Sequence, residues 1–311
     1  MSNKFQSPEY KNLKSKKFRL FSFSELSTYE ECPKKYNYQY IQKIKTVNNV
    51  YSYLGTLVHD HIEQFYDSEF ESNTEMVNHY LKEYDTSPFL FRGETVGCEG
   101  KECINYRKAT SDYLNNLKPL NIKFEQEKLV YLPITLLTED PFFTNFAFHG
   151  YVDLIMYHKN GSISIIDYKT STWYTGEDKK KKSYQLILYA LALEKVYGFK
   201  INKIAWDFVK YANVKYSVGK SERSKRMKRN DLENMKMQHI NSINHAIEFI
   251  DYTEESKKEA IDWVINTLKK CENLKYSNLK VNEISCKNYD IDFFCQHLCP
   301  FYSKCTMEKN T

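Results

Sequence analysis

The stretch FHGYVDLIMYHKNGSISIIDYKTST, Phe148 to Thr172, contains two apolar runs around an Asn160-Gly161 turn signal, and it carries Asp153, Asp167 and Lys169 inside those runs. Period-two alternation on either side of such a dipeptide predicts a β-hairpin. Charges in strands this apolar need partners, because an unpaired buried charge is costly. Asp167 and Lys169 are two apart, so both project from one strand face. The face of Asp153 depends on register. A two-residue Asn160-Gly161 turn would set it opposite Tyr168, on the wrong side. A three-residue loop, Lys159-Asn160-Gly161 with Gly161 left-handed in a G1 bulge, sets it opposite Asp167, and that loop is the one expected. Two facing carboxylates repel, and one lysine compensates only in part. A divalent cation with hard oxygen ligands, Mg²⁺ or Mn²⁺, completes the balance. The bland alternative is a buried ion-pair network, which costs desolvation for no evident return.

Outward from the hairpin, apolar periodicity predicts helices over 24–45, 55–84 and 101–117. From 122 the period changes to two, and IKFEQEKLVYLPI reads as a strand. SYQLILYALALEKVYG is a helix stopped at Gly198, KIAWDFVKY alternates as a strand, and 230–272 reads as long helical segments. This order predicts an α/β fold with a central mixed β-sheet flanked by helices, rather than a doubly wound one. No G-x-G-x-x-G occurs. The GKS at 219–221 is not a P-loop, since Val214 stands where that motif requires glycine.

With 311 residues the chain can bury a large core without disulfides. Its 45 Lys and Arg against 40 Asp and Glu give +5, so a surface for a polyanion must come from local clusters. Two exist, Lys179 to Lys182 and the run GKSERSKRMKR from Gly219 to Arg229; each also reads as a solvated loop. No apolar run follows the basic start and no window approaches the ~18 residues of a spanning helix, so a soluble, cytoplasmic protein with no membrane partner is expected. In a reducing compartment the eight cysteines read as free thiols or metal ligands. FCQHLCPFYSKC supplies Cys295, Cys299 and Cys305, TYEECPKKYNYQYI supplies Cys32, and four thiolates suit an iron–sulfur or zinc site.

GYVDLI, IIDYKTS and QLILYALAL, in that order, resemble the G-x-x-D, D-Y-K-T and Q-x-x-x-Y motifs of the PD-(D/E)XK nuclease superfamily, within it the RecB-like exonuclease group. The resemblance implies a restriction-endonuclease-like core in which Asp153 and Asp167 hold a divalent metal, joined by the backbone carbonyl of Tyr168. Lys169 would be the catalytic lysine, with Gln185 and Tyr189, one helical turn apart, positioning it or a phosphate. GTLVHDHIE resembles the group's helical G-x-x-x-H element, which implies that His59 is a further ligand; His61 is its competitor, about 200° round the helix. In KFEQEKLV, Glu125 and Glu127 share a strand face, and the acid that often precedes the first catalytic aspartate falls on Glu127, with Glu125 left open.

A subset of that group, including AddB and the nucleases of CRISPR spacer acquisition, carries one cysteine before the core and three after it. The C-P-x-K-Y context of Cys32 resembles that subset, which implies a [4Fe–4S] cluster on Cys32, Cys295, Cys299 and Cys305, preferred over Zn²⁺. The C-x₃-C-x₅-C spacing departs from the expected C-x₂-C-x₅-C, so Cys286 stands as a substitute. Cys98, Cys103 and Cys271 are unassigned, with CEGKEC as a weaker soft site. The implied organisation is one nuclease domain over 1–311: a mostly helical part over 18–120, a catalytic core over 121–215, a basic loop and long helices over 216–285, and a cysteine-rich clasp over 286–311 that joins the N- and C-terminal segments. The implied substrate is DNA, single-stranded or with free ends, its phosphates met by Lys179, Lys180, Lys181 and Lys182. A separate helicase or integrase is the expected partner. An exonuclease of repair, recombination or phage DNA metabolism heads the readings, followed by a CRISPR-adaptation-type end-processing nuclease and a non-catalytic DNA-binding scaffold.

Overall fold

The computed structural model describes residues 8–46, 49–87, 90–91, 94–95, 100–235, 239–277, 279–284, 286 and 291–307. The N-terminal part comprises α1 (Pro8–Ser15), β1 (Arg19–Phe21), α2 (Phe23–Glu31), α3 (Pro33–Tyr36), a π-helical turn (Asn37–Ile41), α4 (Val50–Tyr66), α5 (Asn73–Asp85), the two-residue strands β2 (Leu90–Phe91) and β3 (Glu94–Thr95), and α6 (Lys101–Asn115). There follow β4 (Lys123–Pro133), β5 (Phe146–Tyr157), β6 (Ser162–Lys169), α7 (Gly176–Lys195), β7 (Lys200–Val218), β8 (Ser221–Lys228), β9 (His239–Ile250) and α8 (Glu254–Tyr276). A second π-helical segment (Ile291–Leu298) and α9 (Tyr302–Met307) end the described chain.

Seven strands form one mixed sheet, with β1 parallel to the start of β5, β4 antiparallel along its other edge, and β6 antiparallel to its end. β7 runs parallel to β6 after the α7 crossover, and its long outer half pairs with both β8 and β9. One face carries Phe21, Val130, Phe148, Ile163, Ile165 and Trp206 beneath Leu186 and Leu193 of α7 and Val264 and Leu268 of α8. The opposite face presents Leu154, Ile166, Tyr168, Ala205 and Val209 to α4, α5 and α6 through Leu54, Val58, Tyr80 and Tyr113. The expected mixed α/β fold with a central sheet flanked by helices is therefore present. No helix among the described residues is long and apolar enough to cross a membrane.

The hairpin takes the three-residue loop. His158 and Ser162 close it, Gly161 has φ +79°, and the ladder pairs Ile155 with Ile165 and Leu154 with Ile166. Asp153 and Asp167 follow directly on the last ladder pair, and the Tyr168 N–H donates to Asp153 Oδ2 across the two strands.

Three helical expectations are corrected. The predicted 24–45 helix breaks at Cys32, which is extended (φ −159°, ψ 105°) because Pro33 restricts the residue before it and opens a new helix. The predicted 55–84 helix is two: α4 is capped at Asp67, and Ser72 accepts the Glu75 N–H to start α5. The predicted 230–272 helix holds a 3₁₀ turn (Arg229–Met235), the strand β9 and then α8, which begins at a Thr253/Ser256 capping box. Ile240, Ile243, Ile247 and Ile250 have helical spacing, but Ile240 and Ile243 pack with Val214, Ile247 with the α4–α6 layer and Ile250 with the α7–α8 layer. Register shifts in the β7–β9 ladder let one strand serve all three. The basic run expected as a loop after Gly219 is also a strand: Gly219 (φ +60°) and Lys220 turn β7 back into β8, an edge covered in charge.

Candidate active site

Both β4 and β5 change face at one place. Val152 packs in the α7 layer and Leu154 in the α4–α6 layer although they are two apart; in β4, Phe124 packs against the helical layer and Val130 against α7. The ladder steps from Gln126↔Leu154 to Lys128↔Val152, with Glu127 and Asp153 between the paired positions. Glu127 has φ +48°, a left-handed conformation that an L-residue adopts only when its surroundings impose it. The slip brings Glu127 and Asp153 to α4, where ligand atoms of His59, Glu127 and Asp153 all lie within 4.8 Å of one another. His59 Nδ1 is 3.5 Å from Asp153 Oδ2. His61 points elsewhere, its Nδ1 on the Leu57 carbonyl at 2.8 Å. Glu125 also lies apart from this group, ion-paired with Lys128 at 2.9 Å.

Asp167 lies outside that trio on the neighbouring strand, 3% exposed, with Lys169 Nζ 2.6 Å from its Oδ2. Lys169 also donates to Gln185 Oε1 at 2.9 Å, and Gln185 Nε2 donates to the Tyr189 hydroxyl at 3.1 Å. The two α7 residues thus hold the lysine from behind, one turn apart. Gly150 makes room for them: a Cβ there would meet Tyr189 Cε1 at 2.5 Å. The Tyr168 N–H donates to Asp153 Oδ2 at 2.8 Å, while the Tyr168 ring is buried on the helical face.

Burial, then the Asp167 and Glu127 carboxylates, push the Asp153 carboxyl well above its ordinary range, against Lys169 and the Tyr168 N–H. Burial is the largest influence on Lys169 and pulls it down, but Asp167, Tyr174 and Asp153 together raise it above its ordinary value. Three carboxylates and an imidazole around one cation are therefore short of positive charge, and the donor set of hard oxygens with one nitrogen fits a divalent metal. The sign of the pH effect follows. Between the unfolded aspartate value of about 4 and the raised value, the native state binds the extra proton, so metal-free stability falls as pH rises through that window. Asp153→Asn is expected to raise the metal-free melting temperature at neutral pH by about 2–4 °C, equivalent to about 1 kcal/mol, and to lose most of the stabilisation by Mn²⁺. Melting curves with and without Mn²⁺ check this; an undiminished Mn²⁺ shift would contradict it.

A cavity of about 1010 Å³ begins one residue past Lys169. Thr170 and Thr172, Tyr51, Tyr106 and Tyr174, and Lys210 and Lys228 are among its lining. Burial, then Lys228, lower the Lys210 ammonium to about 8, and the Glu102 carboxylate in the same cleft offsets this only in part. Lys228 belongs to the basic run after Gly219, whereas Lys210 sits in the KIAWDFVKY strand pattern and was not singled out; only the sheet brings the two together. The Lys179 to Lys182 cluster fares differently. These residues lie in the first turns of α7; Lys179 pairs with Glu248, Lys180 with Glu259 at 2.7 Å and Lys182 with Glu31 at 3.4 Å. Three of the four thus tie α7 to β9, α8 and α2. Lys181 is exposed, and Lys182 also reaches the cavity wall.

The C-terminal segment packs on the N-terminal one. Cys286 Sγ is 3.5 Å from Cys32 Sγ, Asn49 Nδ2 donates to the Leu298 carbonyl at 3.4 Å, and the Phe301 ring meets Tyr38. Cys295 lies within electrostatic range of Cys286, Cys299, Cys32 and Cys305, and burial followed by neighbouring thiols raises its pKa. Burial likewise pushes the Cys32 thiol up to about 11. Five thiols therefore converge where the sequence offered four and a substitute. Cys103 and Cys271 are buried in the two cores, and Cys98 lies outside the described residues.

The family model for the PD-(D/E)XK nuclease superfamily matches residues 20–306. The chain belongs to that superfamily. Its members are nucleases that use divalent metals, in keeping with the cluster of donors between α4 and the sheet. No curated protein matches. Among solved structures, a protein provisionally named an exonuclease from Eubacterium rectale is similar at 11% identity and a TM-score of 0.46, covering 93% of this chain and 91% of its own. The structure named SSO0001 is similar at 13% identity and a TM-score of 0.31, covering 90% of this chain and 100% of its own.

Proposed function

We propose that this nuclease is a divalent-metal-dependent deoxyribonuclease of the RecB-like group, acting as an exonuclease on single-stranded or end-containing DNA. The observation that carries the reading is Lys169, ion-paired to Asp167, hydrogen-bonded to Gln185, and set beside the His59–Glu127–Asp153 donors. His59, Glu127, Asp153, Asp167 and the Tyr168 carbonyl would hold Mg²⁺ or Mn²⁺. Such an ion, when bound, polarises a phosphodiester and lowers the pKa of a coordinated water. Lys169 would orient or deprotonate the attacking water, or neutralise charge building on the phosphoryl oxygens. Gln185 and Tyr189 keep it in place.

The cavity suits one strand. Lys210 and Lys228 meet phosphates, and the half-buried Tyr51 and Tyr174 offer rings for bases to stack on. On this reading the strand runs over Lys210 and Lys228 toward Lys182, and Lys179 to Lys181 remain candidates for further phosphates. Lys210→Ala with Lys228→Ala is expected to weaken single-strand binding about tenfold and to flatten the salt dependence by one to two in log–log slope. Fluorescence anisotropy across a salt series checks this.

A [4Fe–4S] cluster on Cys32, Cys295, Cys299 and Cys305 completes the reading. The convergence of soft donors fits it, with Cys286, 3.5 Å from Cys32, as the substitute ligand. The activity test uses anaerobically purified protein, Mg²⁺ or Mn²⁺, and end-labelled linear single- and double-stranded DNA beside closed single-stranded circles. Linear strands degraded from an end while circles survive are expected. Cut circles would make it an endonuclease, and intact linear strands with either metal would sink the nuclease reading.

A further inference from the structure

A second constellation, separate from the acidic site, lies between α4 and α5. His61 is buried, stacked face to face on Phe70 and edge-on to Tyr80. Its Nδ1 lies 2.8 Å from the Leu57 carbonyl one turn back. A carbonyl only accepts, so Nδ1 carries the proton and the lone pair sits on Nε2. That Nε2 faces His79 Nδ1 at 3.0 Å, and the Glu83 carboxylate, one turn along α5 from His79, completes a group whose ligand atoms lie within 4.8 Å of one another.

We infer that His61 Nε2, His79 Nδ1 and Glu83 form a second metal site, for a zinc-type cation that prefers imidazole, with a solvent water as fourth ligand. Two nitrogens on a tetrahedral zinc at about 2.0–2.1 Å are about 3.3 Å apart, so the imidazoles need to separate by only a few tenths of an ångström. A backbone carbonyl on the far nitrogen of a ligating histidine is the arrangement that fixes tautomer and ring direction at metal sites. The donor set also differs from the acid-rich catalytic cluster: two imidazoles and one carboxylate favour zinc or cobalt over magnesium. A cleft of about 300 Å³ beside Leu57, Asp60 and Glu83 gives a cation a way in. The consequence is mechanical. His61 lies two residues from His59 on the same helix, so a cation there pins α4 to α5 and with it the placement of His59.

The test is a Co²⁺ titration of the full-length protein, its cysteine clasp intact and Mg²⁺ in excess, followed by visible absorption and metal counting. His79 and Glu83 are exposed, so His79→Ala and Glu83→Gln should fold, as circular dichroism will verify. Wild type is expected to bind one equivalent of Co²⁺ with d–d bands free of thiolate charge transfer. Each variant should lose at least about tenfold in that affinity, and Zn²⁺ should raise the melting temperature of wild type but not of His79→Ala. The same geometry also allows a bare hydrogen bond from His79 Nδ1–H to His61 Nε2. Cobalt uptake unaffected by either substitution, or no such uptake in wild type, would establish that reading and overturn the metal site.

Discussion

Lys169→Met is expected to lower the single-turnover cleavage rate by about 10²–10³-fold or more while leaving DNA affinity within a few-fold. The scale is that of losing one preorganised charge donor at a reacting centre. The lysine is largely buried, and its ammonium lies 2.6 Å from Asp167 and 2.9 Å from Gln185, so nothing nearby can take over its charge. Methionine keeps the length and apolar stem. Affinity should survive because the proposed phosphate contacts, Lys210 and Lys228, are elsewhere in the cleft. Lys169→Arg should not rescue, since a planar fork cannot replace a point charge set between a carboxylate and an amide. Gln185→Leu should cost less, as the Asp167 contact remains. Cleavage with Mn²⁺ and binding with Ca²⁺ separate the two effects. A Lys169→Met enzyme that cuts within tenfold of wild type would remove the lysine from the chemistry.

The part of this site legible in the sequence was local. Register across a tight hairpin depends on loop length alone, so Asp153 and Asp167 at the same end of the ladder followed from Gly161 and its neighbours. His59 and Gln185 were legible through motif resemblance, and a single helical face then fixed their direction. What stayed hidden depends on long-range pairing. The choice of Glu127 over Glu125 rests on a left-handed residue and a face slip shared by two strands, neither of which leaves a mark on alternation. β9 read as a helix because its isoleucines serve three separate layers of the fold. The ion pairs of Lys179, Lys180 and Lys182 were also invisible, because their partners Glu248, Glu259 and Glu31 come from distant segments. Charge runs identify cations; only tertiary structure says which carboxylates already hold them.

The same reasoning gives the largest stability effect to the cysteines. Cys32 and Cys286 are 254 residues apart in sequence and in contact in space, so a cluster bridging these segments closes nearly the whole chain into a loop. Closing a loop that long is worth up to about 5 kcal/mol in chain entropy, and metal loading is then coupled to folding. If the proposed cluster is present, Cys32→Ala should therefore lower the melting temperature of anaerobically prepared protein by up to about 10 °C and lose the iron carried by wild type. Cys286→Ala should keep the iron and most of the stability. Chemistry should be the last property lost, because the candidate catalytic groups on β4–β6, α4 and α7 stand among the two cores, and the tail reaches α4 at its Asn49 cap, ten residues before His59. At a temperature where Cys32→Ala remains folded, its cleavage rate should stay within a few-fold of wild type. An unchanged melting temperature in an iron-free Cys32→Ala protein would mean that contacts such as Tyr38–Phe301, Lys35–Phe294 and Asn49–Leu298 hold the two ends together without a cluster. Full stability with immediate loss of cutting would instead move the cysteines from the clasp to the reaction.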